Sequence, residues 1–263
     1  MTPRRYPAFT NYRATALTWA AMVLILVLFI ASAGALGIDP ERIARGWNQL
    51  DRFFARAFPP DLDTFWRLGP AVVETVQIGI VGTALGIFLS LVLGALAAKN
   101  MAPSLAVSYL LKAAFGLTRA IPALVWALLF IVAVGLGPLP GILALAVNSI
   151  GMLGKIFAET FEEVDRGVIE ALRSTGADPL QVFTQGFVPE TLPKLISWSI
   201  FRLDINIRYA SILGIVGAGG IGWELSRAAR MGDFQSAITV TLVIFAVVWA
   251  IEQISTGLRR LIV

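Results

Sequence analysis

The sequence contains no cysteine and no histidine. Without cysteine the chain cannot form disulfides or thiolate metal sites, and without histidine it lacks the commonest general base and metal ligand. Charged residues are also scarce, at 14% of the chain, whereas about a quarter is typical of soluble domains. Basic residues occur singly or in pairs rather than as a stripe, which argues against nucleic-acid binding. These absences leave little chemistry for an intramembrane enzyme, and we predict no catalytic residues and no metal site.

Apolar sequence dominates instead, at 57% of residues. Mean hydropathy is +0.78, and several apolar runs are long enough to cross a bilayer as helices. We therefore predict an all-α integral membrane protein with six transmembrane helices. The predicted spans are Thr15–Leu36, Val72–Ala98, Ser104–Gly135, Ile142–Phe157, Leu195–Gly217 and Phe234–Ile254. We expect the first to be retained rather than cleaved as a signal peptide. The third is predicted as one long helix, kinked near Pro122, and followed by a tight turn from Gly135 to Gly141.

Six spans place both termini on one side of the membrane. The arginines near the termini predict that this side is cytoplasmic, because short cytoplasmic loops are enriched in Lys and Arg; they are Arg4, Arg5, Arg13, Arg259 and Arg260. Lys99 and Lys112 agree with this orientation. The Asp39–Arg67 segment then faces outward and the Glu159–Lys194 segment faces the cytoplasm. We expect the chain in the cell membrane of a prokaryote.

The Asp39–Arg67 segment combines acids and arginines with an apolar repeat. Its apolar residues recur at helical spacing and predict an amphipathic helix on the membrane surface; they are Ile43, Trp47, Leu50, Phe54 and Phe58.

Small residues recur every four positions along the second span, and this ridge would let another helix approach closely. They are Gly82, Gly86, Ser90, Gly94 and Ala98. The ridge has two interpretations, which the sequence leaves open. It is either an interface between subunits or ordinary packing within the helix bundle.

The Glu159–Lys194 segment is too charged to lie in lipid. Phe157, Phe161, Val164, Val168 and Leu172 recur at steps of three and four residues, which predicts an amphipathic helix.

A second helix follows in the same segment. Gly176 favours a helix end, Asp178 an N-cap and Pro179 the first helical position. We predict that this helix runs to Phe187 and is ended by Val188-Pro189. Four of its apolar side chains would be exposed unless a partner's groove covers them: Leu180, Val182, Phe183 and Phe187. The alternatives are a connection packed on itself and, disfavoured by the net acidity, a DNA-binding helix-turn-helix.

Charged and amide side chains interrupt the fifth span at Arg202, Asp204, Asn206 and Arg208. Each central charge costs roughly 2.5–3.5 kcal/mol in lipid, so such groups usually face a bundle interior or a wet cavity. One hypothesis is that Arg202, Asn206 and Arg208 line a passage that favours an anion. The other is an Asp204–Arg208 ion pair with an arginine that reaches the interface. Glu74 and Arg119, near span ends, are interpreted as interfacial residues.

Residues 217–222 satisfy the pattern G-x-G-x-x-G. A dinucleotide fingerprint also needs a strand, a helix and an acid about 20 residues further on, and this chain lacks such an acid. We therefore interpret Gly217, Gly219 and Gly220 as a turn near a translocation path. The segment from Gly151 to Lys155 lacks the spacing of a Walker A loop, so the chain cannot hydrolyse ATP alone.

The charged segment resembles a known motif. Glu170-Ala171, Gly176 six residues later and Val188-Pro189 resemble the EAA loop of permease subunits of ABC importers, although Leu172, Gly186 and Val188 depart from it. Other segments resemble the permeases of phosphonate, phosphite and related phosphate-type importers; these are Arg119–Pro122 with the apolar run that follows, Asn148–Lys155, Asn206–Arg208 and Val216–Gly222. The resemblance extends from about Glu74 to the C-terminus.

The resemblance implies a type I (MetI-like) importer permease fold with a cytoplasmic coupling helix. Residues 1–70 lie outside the resemblance, and their own pattern predicts an N-terminal helix with an external amphipathic segment. Residues 71–263 would form a five-helix core that contains the coupling loop, 159–194. The residues that would couple to an ATPase are Glu170, Ala171, Gly176, Asp178, Pro179, Leu180, Val182, Phe183, Phe187 and Pro189.

The resemblance also implies partners. They are a second permease copy, two ATPase subunits that hold ATP and Mg, and an extracytoplasmic binding protein for a phosphonate-type anion. Transport would follow alternating access. The rival is a secondary transporter driven by an ion gradient, which favours repeated halves and midplane acids that are not evident here.

Overall fold

The computed structural model describes residues 12–37 and 40–262, and every regular element within them is helical. The α-helices are α1 Tyr12–Ala35, α2 Pro40–Ala57, α3 Leu62–Arg67, α4 Gly69–Ala97, α5 Leu105–Ala120, α6 Ala123–Val134, α7 Pro138–Glu162, α8 Arg166–Ser174, α9 Pro179–Val182, α10 Val188–Leu213, α11 Gly220–Met231 and α12 Phe234–Ile262. A π-helical turn, Phe183–Phe187, joins α9 to α10, and a 3₁₀ turn, Gly214–Val216, follows α10. The prediction of an all-α protein is confirmed.

Contacts divide the chain into two units between Arg56 and Ala57. The first unit contains α1 and nearly all of α2. The amphipathic helix predicted from the apolar repeat is present as α2, and its place on the membrane surface stays a prediction. Arg4, Arg5 and Asp39, which the orientation and loop predictions used, lie outside the described residues. The remaining helices form the second unit, and the division of function at residue 70 stays a prediction.

The described residues contain five helical segments long and apolar enough to cross a membrane, or six if α5 and α6 together form one span. This agrees with the six predicted spans. The helix predicted at Ile142–Phe157 is longer at both ends, and the predicted turn stops at Gly137. Pro138 and Pro140 fit the first turn of α7 because the N–H that proline lacks has no helical acceptor there.

The prediction of one kinked helix in the third span is wrong. Helices α5 and α6 meet at 90°. Pro122 disfavours a helical conformation at Ile121, whose backbone is extended (φ −90°, ψ 120°). The indole Nε1 of Trp126 donates to the carbonyl of Thr118 across the break, at 3.3 Å. The span is therefore two short helices with a fixed corner.

The core of the second unit is the packing of α4 on α7. A Cβ added at Gly82 would lie 2.9 Å from Cβ of Leu145, and one at Gly86 would lie 2.5 Å from Cβ of Ser149. Since the glycines let the two backbones approach closely, dispersion holds the pair. Of the two interpretations of the small-residue ridge, the structure shows packing within this chain's own bundle.

Polar contacts pin α3 to the start of α12. The backbone N–H of Asp61 donates to Oγ1 of Thr239 at 2.9 Å. The hydroxyl of Thr64 donates to the carboxylate of Asp61 and holds the pKa of that carboxyl below its usual range. Hydrogen bonds from the side chain and the backbone of Ser236 likewise lower the pKa of Asp233. Both carboxylates are therefore ionised caps at neutral pH.

Candidate functional site

The Glu159–Lys194 segment forms a compact helical hairpin rather than one long amphipathic helix followed by another. The predicted first helix is divided, because α7 ends at Glu162 and α8 begins at Arg166. The backbone of Asp165 is extended, and its carboxylate accepts the N–H of Gly167 at 2.8 Å. This N-cap starts a new helix and accounts for the difference.

The start of the second helix agrees with the prediction. Gly176 has φ +80°, in the left-handed region that favours glycine at helix ends. Asp178 and Gln181 form a capping box: Oδ1 of Asp178 accepts the N–H of Gln181 at 2.8 Å, and Oε1 of Gln181 accepts the N–H of Asp178 at 3.0 Å. Pro179 occupies the first turn.

The prediction that Val188-Pro189 breaks this helix is wrong. The chain passes from α9 through the π-helical turn directly into α10, and the N–H of Val188 donates to the carbonyl of Phe183. Pro189 lies in the first turn of α10, where its missing N–H does not interrupt the ladder. The rings of Phe183 and Phe187 stack with centroids 6.3 Å apart. The charged segment is thus continuous with a membrane-spanning helix.

The four apolar side chains predicted to be exposed differ in burial. Leu180 is 70% exposed, whereas Val182 is 5% exposed and packs against Val164 and Ile169. Phe187 is partly buried beside the same cluster, and Phe183 is intermediate. The prediction is therefore wrong for Val182, which holds the hairpin together. Leu180 is the exposed apolar side chain that α9 presents.

Gly186 explains one departure from the EAA pattern. A Cβ there would lie 2.9 Å from Cδ1 of Leu172 and 3.0 Å from Cδ1 of Ile169. The glycine therefore lets α8 pack closely on the π-helical turn. Glu170 and Ala171 are exposed on α8, and Glu170 lines a cavity of 480 Å³.

Ion pairs join the base of the hairpin to the bundle. Oε1 of Glu162 accepts the backbone N–H of Lys99 and contacts Nζ of Lys112, each at 2.6 Å. Nζ of Lys194 lies 2.9 Å from Oε2 of Glu163. These contacts connect α7 to the α4–α5 turn, to α5 and to α10. A displacement of the hairpin would therefore reach several membrane-spanning helices.

We expect Asp178→Ala to loosen α9 selectively. Loss of an N-cap costs about 1 kcal/mol, which corresponds to roughly a fivefold increase in local opening. The measurement is amide hydrogen exchange of residues 180–183 in the purified transporter. Asp178→Asn is the matched control because asparagine caps equally well. Unchanged exchange in the alanine variant would show that the cap does not stabilise α9.

The polar residues of the fifth span form a buried cluster on α10. The side chain of Asn206 is fully buried, and its Nδ2 donates to Oγ1 of Thr83 and Oγ of Ser149, both at 2.8 Å. The hydroxyls of Thr83 and Ser149 in turn donate to backbone carbonyls of their own helices. Since each hydroxyl has one proton, both can only accept from Asn206, which fixes its amide orientation. The cluster joins α4, α7 and α10.

Arg202 belongs to the same cluster. It is 4% exposed, and its Nε donates to Oγ of Ser149 at 2.9 Å. Its Nη1 lies 3.5 Å from the sulfur of Met152, and its Nη2 donates to Oδ1 of Asn148. All three described partners of Arg202 are neutral, and no described carboxylate lies within salt-bridge distance of its guanidinium.

Arg208 has different surroundings. Its Nη2 lies 3.6 Å from Oδ2 of Asp204 and 3.7 Å from Oε2 of Glu252. The predicted Asp204–Arg208 pair is present, and α12 supplies a second acid. The structure therefore brings Arg202 and Asn206 together and places Arg208 in a separate ion-pair group.

A cavity of 290 Å³ lies where the α5–α6 corner meets α7 and α10. Arg119, Asn148, Arg202 and Tyr209 supply its polar lining, and none of its lining residues is acidic. Sequence reasoning missed that Arg119 lines the same cavity as Arg202. The sequence signal that could have found it was a basic residue, Arg119, three positions before Pro122, which interrupts an apolar span.

The glycine turn lies at the C-terminal end of α10, away from the hairpin. Gly217, Gly219 and Gly220 all have positive φ, at 109°, 80° and 69°. Oε2 of Glu74 accepts the N–H of Gly220 at 3.1 Å, and Oγ1 of Thr75 accepts the N–H of Ile221 at 2.8 Å. Glu74, interpreted from the sequence as interfacial, therefore caps the start of α11.

The glycine turn also lines a separate cavity, of 470 Å³, with Arg67 and Trp223. The described residues contain no strand, so the strand–turn–helix context of a dinucleotide fingerprint is missing around this turn.

The chain belongs to the family described as binding-protein-dependent transport system inner membrane component, which it matches over residues 90–263. It is thus a multi-pass membrane permease subunit of an ATP-driven importer, a class that works with an ATPase and a substrate-binding protein. Permease subunits of this class are non-catalytic, since ATP hydrolysis belongs to a separate subunit. This assignment removes the alternative of a secondary transporter driven by an ion gradient.

Particular relatives refine the comparison. The chain is 39% identical to the phosphate-import permease protein PhnE of Mycolicibacterium smegmatis over 89% of this chain and 44% of that protein. It is 35% identical to the phosphite transport system permease protein PtxC of Stutzerimonas stutzeri over 85% of this chain and 81% of that protein. A solved structure of the MetNI methionine ABC transporter, described as inward-facing, matches with a TM-score of 0.66 and 23% identity, over 77% of this chain and 99% of that one. The last likeness supports the type I importer permease fold.

Proposed function

We propose that this permease carries phosphorus oxyanions, namely phosphonates, phosphite or phosphate. The observation that carries the proposal is the similarity, along most of the chain, to permeases named for phosphate and for phosphite. The uncompensated guanidinium of Arg202 within the bundle supports an anionic cargo, because buried cations normally face a partner of opposite charge.

The helical hairpin is the ATPase contact in this proposal. Leu180 is exposed at the tip of a capped helix, as expected for a side chain that fills a groove on a soluble partner. The capping box and Gly176 fix the entry to the helix, Val182 and Phe187 anchor it from behind, and Glu170 and Ala171 belong to its support on α8. Pro189 marks where the helix enters α10. ATP and Mg would bind the ATPase rather than this chain.

Two copies of the chain pair around a central pathway in this proposal, with two ATPase subunits on the cytoplasmic side and the binding protein on the other. Both termini are then cytoplasmic. Closure of the ATPases on ATP moves the hairpins together, and the ion pairs at Glu162 and Glu163 transmit that movement to the spans. ATP drives transport because it binds one of the two states more tightly. The glycine turn at Gly217–Gly220 lies toward the binding protein.

The test is ATP-dependent uptake by the permease reconstituted with its ATPase and binding protein in liposomes. We expect uptake of at least one of labelled phosphate, phosphite and methylphosphonate, and its loss when ADP replaces ATP. The control is a liposome that contains the permease without the ATPase. Uptake of none of the three anions, or uptake that follows an ion gradient without the ATPase, would contradict the proposal.

A further inference from the structure

We propose that the 290 Å³ cavity between the α5–α6 corner, α7 and α10 is an oxyanion subsite on the transport path, with Arg119 and Arg202 as its two cationic ligands. The inference rests on the proposed phosphorus-oxyanion cargo. It assigns a binding role to Arg119, whose position near a span end suggested an interfacial residue.

Charge is the first argument. Both cations of the lining are guanidiniums, and no lining residue is acidic. Arg202 and Asp204 are two residues apart and so point to different faces of α10. Asp204 pairs with Arg208, away from the cavity. The local charge therefore favours an anion, and a dianion more than a monoanion.

Hydrogen-bonding capacity is the second argument. A guanidinium has five N–H donors, and each of the three nitrogens of Arg202 uses one on Ser149, Met152 or Asn148. One N–H on each Nη is thus left without a described partner, and such a pair suits the bidentate recognition of an oxyanion. Tyr209 lies seven residues, or about two turns, after Arg202 on α10 and also lines the cavity.

Position is the third argument. A Cβ added at Gly151 would lie 2.9 Å from the backbone nitrogen of Arg119, so α5 packs backbone to backbone on α7 beside the cavity. Pro122 then turns the chain through 90°. The contact at Gly151 and the corner at Pro122 together fix the position of the Arg119 backbone beside the cavity. The cavity has the volume of about ten water molecules at liquid density, which leaves room for a five-atom oxyanion and several waters.

The two guanidiniums stand on different helices, α5 and α10. A change in the separation of those helices would alter the affinity for an anion held between them, without any covalent chemistry. Such a subsite binds in one state of a transport cycle and releases in another. Its hydrogen bonds to neutral partners also keep Arg202 in place while the site is empty.

The test compares Arg119→Gln and Arg202→Lys with wild type in the complete reconstituted transporter. Labelled phosphate, phosphite and methylphosphonate serve as probes, at a saturating concentration of binding protein. Because a hydrogen bond to a charged group contributes about 1.5–3 kcal/mol, we expect Arg119→Gln to lower the uptake rate about 10- to 100-fold. Stimulation of ATPase activity by the binding protein should stay within twofold of wild type. Arg202→Lys keeps the positive charge but loses the planar, bidentate donor geometry of the guanidinium, so it should lower uptake by at least about tenfold.

Arg230→Gln is the matched control, since it removes an exposed arginine from the last turn of α11, which does not line the cavity. Arg119 is also exposed, so its variant should assemble normally even if the buried Arg202 variant does not. If wild type carries these anions and Arg119→Gln carries them equally fast, the subsite is overturned while the proposed function stands. If wild type carries none of them, the proposed function fails, and the subsite fails with it.

Discussion

Leu180→Asp should abolish ATP-driven uptake and detach the ATPase from the permease. Leu180 is 70% exposed in α9, and burying a leucine in a partner's groove contributes about 1.5–3 kcal/mol. An aspartate there loses that contribution and also places an unpaired charge in the interface, which costs several kcal/mol more. We therefore expect at least about a 100-fold loss of affinity between the two subunits. The measurement is the amount of ATPase that co-purifies with the tagged permease, together with uptake.

Two controls separate docking from folding. Met231→Asp makes the same kind of change at a comparably exposed apolar side chain, at the end of α11, and should leave the ATPase bound. Leu180→Met conserves volume and should retain most of the affinity. Leu180 makes no contribution to the buried cluster behind α9, so the aspartate variant should fold. Wild-type co-purification and uptake in Leu180→Asp would mean that α9 is not the docking helix.

Gly222→Ala should destabilise the whole second unit. An added Cβ would lie 2.0 Å from the carbonyl oxygen of Ser211 and 2.9 Å from Cα of Gly214, so α11 would have to move away from the end of α10. Both obstructing atoms belong to the backbone, so no change of side-chain rotamer relieves the contact. We expect a cost of about 3 kcal/mol or more. The measurement is the unfolding temperature of the detergent-purified protein, followed by size-exclusion chromatography.

Gly116→Ala is the matched control for this substitution. Gly116 lies in the interior of α5, and nothing stands within 4 Å of the added Cβ. Alanine there should stabilise the helix by about 0.5–1 kcal/mol, because glycine loses more conformational entropy on folding. Equal unfolding temperatures for Gly222→Ala and wild type would show that α10 and α11 do not need this close approach.

Much of the structure of the α8–α9 region could be predicted from the sequence, because it depends on short-range interactions. Asp178 and Pro179 favour a helix start whatever their tertiary surroundings, because an N-cap acts only on the first turn that follows it. The end of the same helix could not be predicted from the sequence. Pro189 is a strong helix-breaking signal, and only the π-helical turn before it shows that the proline falls where its missing N–H does no harm.

The polar residues of the fifth span show a similar division. The pairing of Asp204 with Arg208 follows from their spacing on one helix. The meeting of Arg202 with Asn148 and Ser149 depends on how α7 packs on α10, which one helix's own periodicity does not specify. Glu74 lies 146 positions before Gly220, whose N–H it accepts, and no local rule joins residues that far apart.

The sequence by itself determined that this protein is a set of membrane-spanning helices with one charged segment outside the bilayer. The bilayer leaves backbone groups no water to bind, so long apolar runs must become helices and dense charge must lie outside them. Tertiary structure alone decided which side chains share a site. The 90° corner at Pro122 and the close contact at Gly151 bring Arg119 to the cavity of Arg202, because only the packing of whole helices sets the distance between residues far apart in the chain.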